Sequence, residues 1–228
     1  GRTNCRGRST DICGIQVFVQ AMSDKDIMEQ VEYAIANEDW EVAEENYRIA
    51  VSENTEEAEL FFWKHTANDT LFSSKMALIL GDHYKRACNY NKAHVFYDEL
   101  IKLQPDDIDA LLACADLKAQ SGKEKEALEL YERVLSLDVN NLPANIFIGN
   151  YYYYYAEKER AEIEHSYSKL RVPTKMQYAR YREHINDLVN SDYAKAKGYL
   201  QRVIALFPSF EVKKVLDKIR MVEMENAR

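Results

Sequence analysis

Apolar residues recur along most of this chain at spacings of three and four, the spacing of one helix face. Trp40, Ala43, Tyr47, Ala50 and Val51 share such a face. The same periodicity fills residues 76–105 and 111–139, and these two stretches echo each other. With Ala93 set over Ala127, Tyr97 falls on Tyr131, Leu103 on Leu137 and Gly81 on Ala115, a constant offset of 34 residues. A fixed period of that size with helical spacing predicts stacked helical pairs, each burying its apolar face on its neighbours.

The elements follow from this register. Ser23 or Asp24 can cap a helix over 25–36, and Asn37-Glu38-Asp39 reads as a turn into a second helix. A short helix rich in large apolar residues, Leu60, Phe61, Phe62 and Trp63, is expected over 57–66. Residues 58–73 break the period as an insertion. Asn68-Asp69-Thr70 is placed to cap a helix over 71–88. The two clear repeats turn at Cys88-Asn89-Tyr90-Asn91 and at Gln120-Ser121-Gly122-Lys123, and Pro105 separates them, with Asp106-Asp107 at the next cap.

A third register begins at Leu142, with Gly149 in line with Ala115, Ala161 with Ala127 and Pro173 with Pro105. Where a turn is due, Tyr155-Ala156-Glu157-Lys158-Glu159-Arg160 is tolerable in a helix. The spacing therefore predicts one fused helix over 143–170, stopped by Val172-Pro173-Thr174. Tyr178, Tyr181, Ile185 and Leu188 would pack a returning helix against it. Ser191 and Asp192 are expected to cap a helix over 193–207. Ser209 is expected to cap a last helix over 210–225, polar on one side as a terminal helix must be.

Charge adds an asymmetry. The formal net charge is -8, but residues 22–70 hold 14 acids against three bases, whereas 71–228 hold 23 acids and 24 bases. The acidic end is either a solvated face or a steering surface for a basic partner. A nucleic-acid partner is disfavoured, because it requires a basic footprint. With no run of 18 apolar residues, no membrane-inserting helix is expected.

Residues 1–21 stand apart. Arg2, Arg6 and Arg8 precede a short apolar stretch, a faint echo of an export signal that Asp11 and Gln16 interrupt. Met22 can serve as a start. The expected location is cytoplasmic, or exported if the residues before Met22 belong to a signal. Cys5 and Cys13 could pair in an oxidising compartment. Cys88 and Cys114 have no metal-ligand spacing, and Cys114 reads as a buried structural thiol.

The motif residues resemble the tetratricopeptide repeat family. They are Leu80, Gly81, Tyr84, Tyr90, Ala93, Tyr97, Leu100 and Pro105 in one repeat, and Ala115, Gly122, Ala127, Tyr131, Leu135 and Leu137 in the next. The resemblance is strong over 74–141 and weaker over 24–57 and 142–209. Val139 departs from the usual proline. The resemblance implies an all-α, right-handed α-solenoid of helix-turn-helix repeats with an irregular, extended third repeat. Residues 22–228 would form one array, with repeats near 24–57, 74–107, 108–141, 142–175 and 177–209 and a capping helix at 210–225.

It also implies a non-enzymatic scaffold that holds an extended peptide on its concave face. The positions in register are Leu78, Asp82 and Lys85, then Leu112, Asp116 and Ala119, then Ile146, Asn150 and Tyr153. A clamp for a terminal carboxylate uses Lys, Arg and Asn, but the matching places here are mostly Leu, Asp and Ile, and among them only Asn150 fits in type. An apolar groove with acids would instead suit a protein or peptide segment with apolar and basic side chains. The run Tyr151–Tyr155 points all round a helix, with at most two residues on one face. It could pack between helices or serve as a contact surface, including one for a homo-oligomer.

No catalytic constellation is apparent. The sequence has no GxSxG, P-loop or GxGxxG, and its five histidines form no HxxxH pair. Acid pairs such as Asp106/Asp107 and Glu56/Glu57 sit at expected helix starts, where the macrodipole favours them. No catalytic residue, metal or cofactor is expected.

Overall fold

The computed structural model describes residues 26–65 and 70–228. Residues 1–21, with the suggested Cys5–Cys13 pair and the signal question, lie outside the described residues, as do the expected caps Ser23, Asp24, Asn68 and Asp69. All eleven elements among the described residues are helices. The chain divides into two compact units, Gly1–Pro105 and Asp106–Arg228.

The first unit contains α1 (Ile27–Ala36), α2 (Trp40–Glu53), α3 (Thr55–His65), α4 (Thr70–Arg86) and α5 (Tyr90–Leu103). Helices α1 and α2 form one pair, α4 and α5 another, and α3 is the insertion between them, packed on α2 and α4. Tyr47 is the pin. It is fully buried, and its hydroxyl donates to the Ala58 carbonyl at 2.7 Å. Its ring meets Phe61 of α3 and Phe72 of α4. Burial pushes the Tyr47 phenol far above its usual pKa. On the other side of α3, Phe62 lies edge-on to Phe96, which stacks on Tyr84.

Each pair turns the same way. Glu38 and Cys88 adopt left-handed backbone, with φ of 57° in both. The next residue, Asp39 or Asn89, caps the second helix by accepting from Val42 N–H or Lys92 N–H. The cap residue's own N–H donates back to Ala34 or Tyr84 at 2.9 Å, closing the end of the first helix. The second helix therefore starts at Tyr90. Tyr90 and Asn91, expected in the turn, are helical because Asn89 satisfies the first free N–H groups.

The second unit contains α6 (Ile108–Gln120), α7 (Glu124–Leu137), α8 (Leu142–Ser168), α9 (Lys175–Asn190), α10 (Asp192–Leu206) and α11 (Phe210–Asn226). The α6–α7 turn repeats the geometry with Gly122 at φ 76°. Asn141 caps α8 through Ala144 N–H at 3.1 Å, with Pro143 in the first turn. Thr174 and Gln177 cap α9 reciprocally.

Helix α8 runs 27 residues without interruption, about 40 Å at the α-helical rise. Its first half packs on α10, where Gly149 lies against Leu200 and Tyr199. Its second half packs on α9, where Tyr167 stacks on Tyr181 at 4.3 Å and 18°. Ala161, in register with the buried Ala93 and Ala127, is exposed, because there the chain is still in α8 rather than in a second helix. Tyr153, Leu188, Tyr193, Ala196, Leu200 and Val203 form the core with Val212, Ile219 and Val222 of α11.

A polar knot crosses this core's edge. Arg160 donates to Glu157, to Glu164 and, through Nε at 2.9 Å, to the Tyr193 hydroxyl. Tyr193 in turn donates to Glu157 at 2.5 Å. Ser209 caps α11 through Val212 N–H, as expected. Ser191 does not cap α10 with its side chain. Its hydroxyl donates to the Asp187 carbonyl at 2.6 Å and so closes α9 instead. No helix among the described residues is long and apolar enough to cross a membrane.

Candidate functional site

The second unit carries an open groove of about 800 Å³ between α7 and the first half of α8. Its α8 floor is two parallel rows. One row is Pro143, Phe147, Tyr151 and Tyr155, and the other is Ile146, Asn150, Tyr154 and Lys158. Every step in each row is four residues, so each row is one ridge of the helix. The α7 wall is Glu124 and Tyr131.

The rings are ordered against each other. Tyr131 stacks on Phe147 at 4.4 Å and 27°, and Phe147 leads to Tyr151 at 6.3 Å and 26°. Tyr154 and Tyr155 are 66% and 49% exposed, so the far half of the groove presents bare aromatic surface. The Asn150 carboxamide makes no hydrogen bond among the described residues. It is half-buried and lines the groove floor.

The electrostatics are set by acids close to the phenols. Burial pushes the Tyr131 phenol up to about 12, and the charge of Asp116 adds to the shift. Burial also raises Tyr151, helped by Glu124, Tyr155, Asp192 and Glu132. These phenols stay protonated near neutral pH, so they offer O–H donors and ring faces rather than bases. The acids that raise them give the surroundings of Tyr151 a negative field, and lysines border it: Lys158 lines the same groove, and Lys123 and Lys125 flank Glu124 beside Tyr151.

Of the residues selected from sequence, Ile146 and Asn150 lie together in this groove. Asp116 is half-buried on α6, accepts from Gln120 at 2.9 Å and is not among the lining residues; its charge adds to the rise of the Tyr131 phenol. Leu112 is half-buried on α6 and lies outside the lining. Tyr153 requires correction. It is 5% exposed and packs edge-on against Tyr193 in the core, so it cannot line an open surface. The next residue, Tyr154, continues the ridge of Ile146 and Asn150.

Leu78, Asp82 and Lys85 belong to α4 of the first unit, all half-buried. The Asp82 carboxylate already accepts from the Tyr97 hydroxyl, so it is not a spare acid.

Sequence reasoning misses Tyr131, Phe147, Tyr154, Tyr155, Glu124 and Lys158. It puts at most two rings of the tyrosine run on one face, yet Tyr151, Tyr154 and Tyr155 all line the groove. A groove two ridges wide collects positions i, i+3 and i+4, which is the signal that finds them. Tyr152 and Tyr153 point the other way. Tyr152 stacks on Tyr199, with Lys195 Nζ 5.0 Å from its ring centroid. Among the described residues no group of three or more His, Cys, Asp or Glu side chains is placed to hold a metal ion.

A family model of the tetratricopeptide repeat matches residues 86–145. A solved structure from Bacteroides ovatus ATCC 8483, that of a candidate protein-binding protein, is 42% identical and covers 89% of this chain and 100% of that one, with a TM-score of 0.78. The chain belongs to the tetratricopeptide repeat family. The matched segment of this tetratricopeptide repeat protein runs from the end of α4 into the first turn of α8 and includes the Tyr131 wall of the groove. The MamA protein structure is 15% identical over 67% of this chain and 89% of that one, at a TM-score of 0.35, too distant to bear on either fold or function. No curated protein matches the sequence.

Proposed function

We propose that this tetratricopeptide repeat protein is a non-catalytic interaction scaffold that holds a peptide or partner segment in the α7–α8 groove. The carrying observation is Asn150, an amide without a partner among the described residues, set in a floor of exposed tyrosines. An extended backbone laid over Tyr154 and Tyr155 would exchange hydrogen bonds with that amide. The rings would supply contact area at low entropic cost. The protein-binding description of the 42% identical relative supports this reading.

The test is capture from native lysate by the full chain beside an Asn150→Ala, Tyr154→Ala, Tyr155→Ala variant and a control, Lys213→Ala, at an exposed position on α11. The expected partner is held by wild type and the control and is lost from the triple variant. A partner held equally by all three places binding elsewhere and ends the proposal.

One observation favours a second reading. Val172 and Met176, at the tip between α8 and α9, are 86% and 66% exposed, beside exposed Tyr178. Two copies could cover this tip by packing on each other. Light scattering across a hundredfold dilution decides it, because a concentration-independent monomer rules it out.

A further inference from the structure

We infer that the groove selects a segment carrying one lysine or arginine, whose cationic head sits between the Tyr151 ring and the Glu124 carboxylate. The inference rests on the groove being the docking surface and names the chemistry that surface takes.

The fold already shows how it holds such a cation. In the first unit, Lys92 Nζ lies 4.9 Å from the Tyr84 ring centroid and 2.8 Å from Glu59 Oε1. Tyrosine and acid share one ammonium there: Lys92 Nζ also donates to the Tyr84 hydroxyl at 3.2 Å, so the phenol acts through ring and oxygen and the carboxylate through charge. In the groove the same two groups, Tyr151 and Glu124, face a common space. Glu124 forms no ion pair and no cation sits over Tyr151 among the described residues. The Glu124 charge is near enough to hinder ionisation of the Tyr151 phenol, and Glu132 and Asp192 add to the same negative field.

The ridge fixes what flanks the base. Phe147, Tyr151 and Tyr155 are four residues apart, about 6 Å per step along a helix. Alternate side chains of an extended segment recur at roughly 6.6 Å. A base over Tyr151 therefore places apolar side chains two residues either side, over Phe147 and Tyr155. Lys158 stands two turns beyond Tyr151, about 10 Å along the axis, and disfavours a second base at that end. Asn150, beside Tyr151, is placed to bond the backbone at the basic residue.

The probe is a pair of fluorescein-labelled peptides, Ser-Leu-Ser-Lys-Ser-Leu-Ser and the same sequence with norleucine for lysine, titrated into the full chain by anisotropy. The lysine peptide should bind about tenfold tighter, the size of a partly desolvated cation–π contact with an adjacent acid. The preference should shrink in 0.5 M salt. It should vanish in Glu124→Gln and in Tyr151→Leu, each checked for an unchanged thermal melt. Equal binding of both peptides, with both weakened by Asn150→Ala, overturns the basic site and leaves the groove standing. No binding, or binding that no groove variant alters, overturns both.

Discussion

Gly149 lies against Leu200. A methyl group on its α-carbon would stand 2.6 Å from Leu200 Cδ2 and 2.7 Å from Cγ, closer than real contacts allow. Leu200 is fully buried and cannot swing aside. The glycine thus sets how closely α8 and α10 approach, as Gly81 does beneath the Tyr97 ring in the first unit. Replacing Gly149 by alanine gains about 1 kcal/mol of helix propensity. It loses about 1–3 kcal/mol to overpacking in a site that cannot relax. The expected outcome is a lower melting temperature by several degrees. A methyl group added at Gly198, on the same α10, would meet nothing within 4 Å, so Gly198→Ala should raise stability by about 0.5–1 kcal/mol. Circular dichroism melts of the two variants should move in opposite directions. Two shifts of the same sign would show that the close approach is not what the glycine is for.

The three pair turns make a second comparison. Glu38, Cys88 and Gly122 occupy the same left-handed position, yet only one is glycine. A residue with a β-carbon is strained there by roughly 1 kcal/mol. Cys88→Gly should stabilise the chain by about that amount, less the entropy glycine adds to the unfolded state, and Gly122→Ala should destabilise it. Cys88 is exposed, so packing does not confuse the result. Urea midpoints that show Cys88→Gly destabilised by the full entropy cost of glycine, about 0.5–1 kcal/mol, would show the turn to be unstrained.

Much of this is legible in the sequence, for reasons particular residues make plain. The 34-residue offset that pairs Gly81 with Ala115 and Tyr97 with Tyr131 reflects how closely each helix approaches its partner, so it yields the paired helices and the close contacts. The run through Ala156 carries no glycine, proline or cap, so α8 reads as continuous. The partner of its first half does not. Register points to residues near 161, whereas Leu200 fills that role after a 16-residue helix, α9, has intervened. The groove is half legible. Register finds Ile146 and Asn150, but extending the line by three leads to Tyr153, which faces the core. Extending it by four leads to Tyr154, which faces the groove. Local periodicity cannot choose between them without knowing where α10 lies.

The knot of Tyr193, Glu157 and Arg160 predicts a cost that burial alone does not. Tyr193→Phe keeps the buried ring and removes only the hydroxyl. It takes a donor from Glu157 and an acceptor from Arg160 Nε at a half-buried site. The loss should be about 1–3 kcal/mol. Glu157→Gln should lose a similar amount, and the double variant less than the sum, because one network is broken once. Additive losses in a denaturation cycle would mean that the three groups act independently.

Alkaline pH gives the last test, and its sign follows from the buried phenols. Tyr131 is held up to about 12 by burial and by Asp116, while an unfolded tyrosine titrates near 10. Below pH 10 both states keep the proton and stability does not depend on this group. Between 10 and 12 the unfolded chain releases the proton and the folded chain retains it, so stability falls as pH rises, and above 12 the Tyr131 contribution to the slope ends. Tyr47 and Tyr193 are pushed higher still, chiefly by burial, and continue the fall. In Tyr131→Phe the ring can still stack on Phe147, but the titrating group is gone. Its urea midpoint should therefore drop less than wild type between pH 9.5 and 11.5. Absorbance at 295 nm on the folded chain should likewise lose one late-titrating phenol. Identical slopes in the two proteins would mean that Tyr131 ionises like a solvent-exposed tyrosine, and that the groove wall it forms is open to water rather than closed against Phe147.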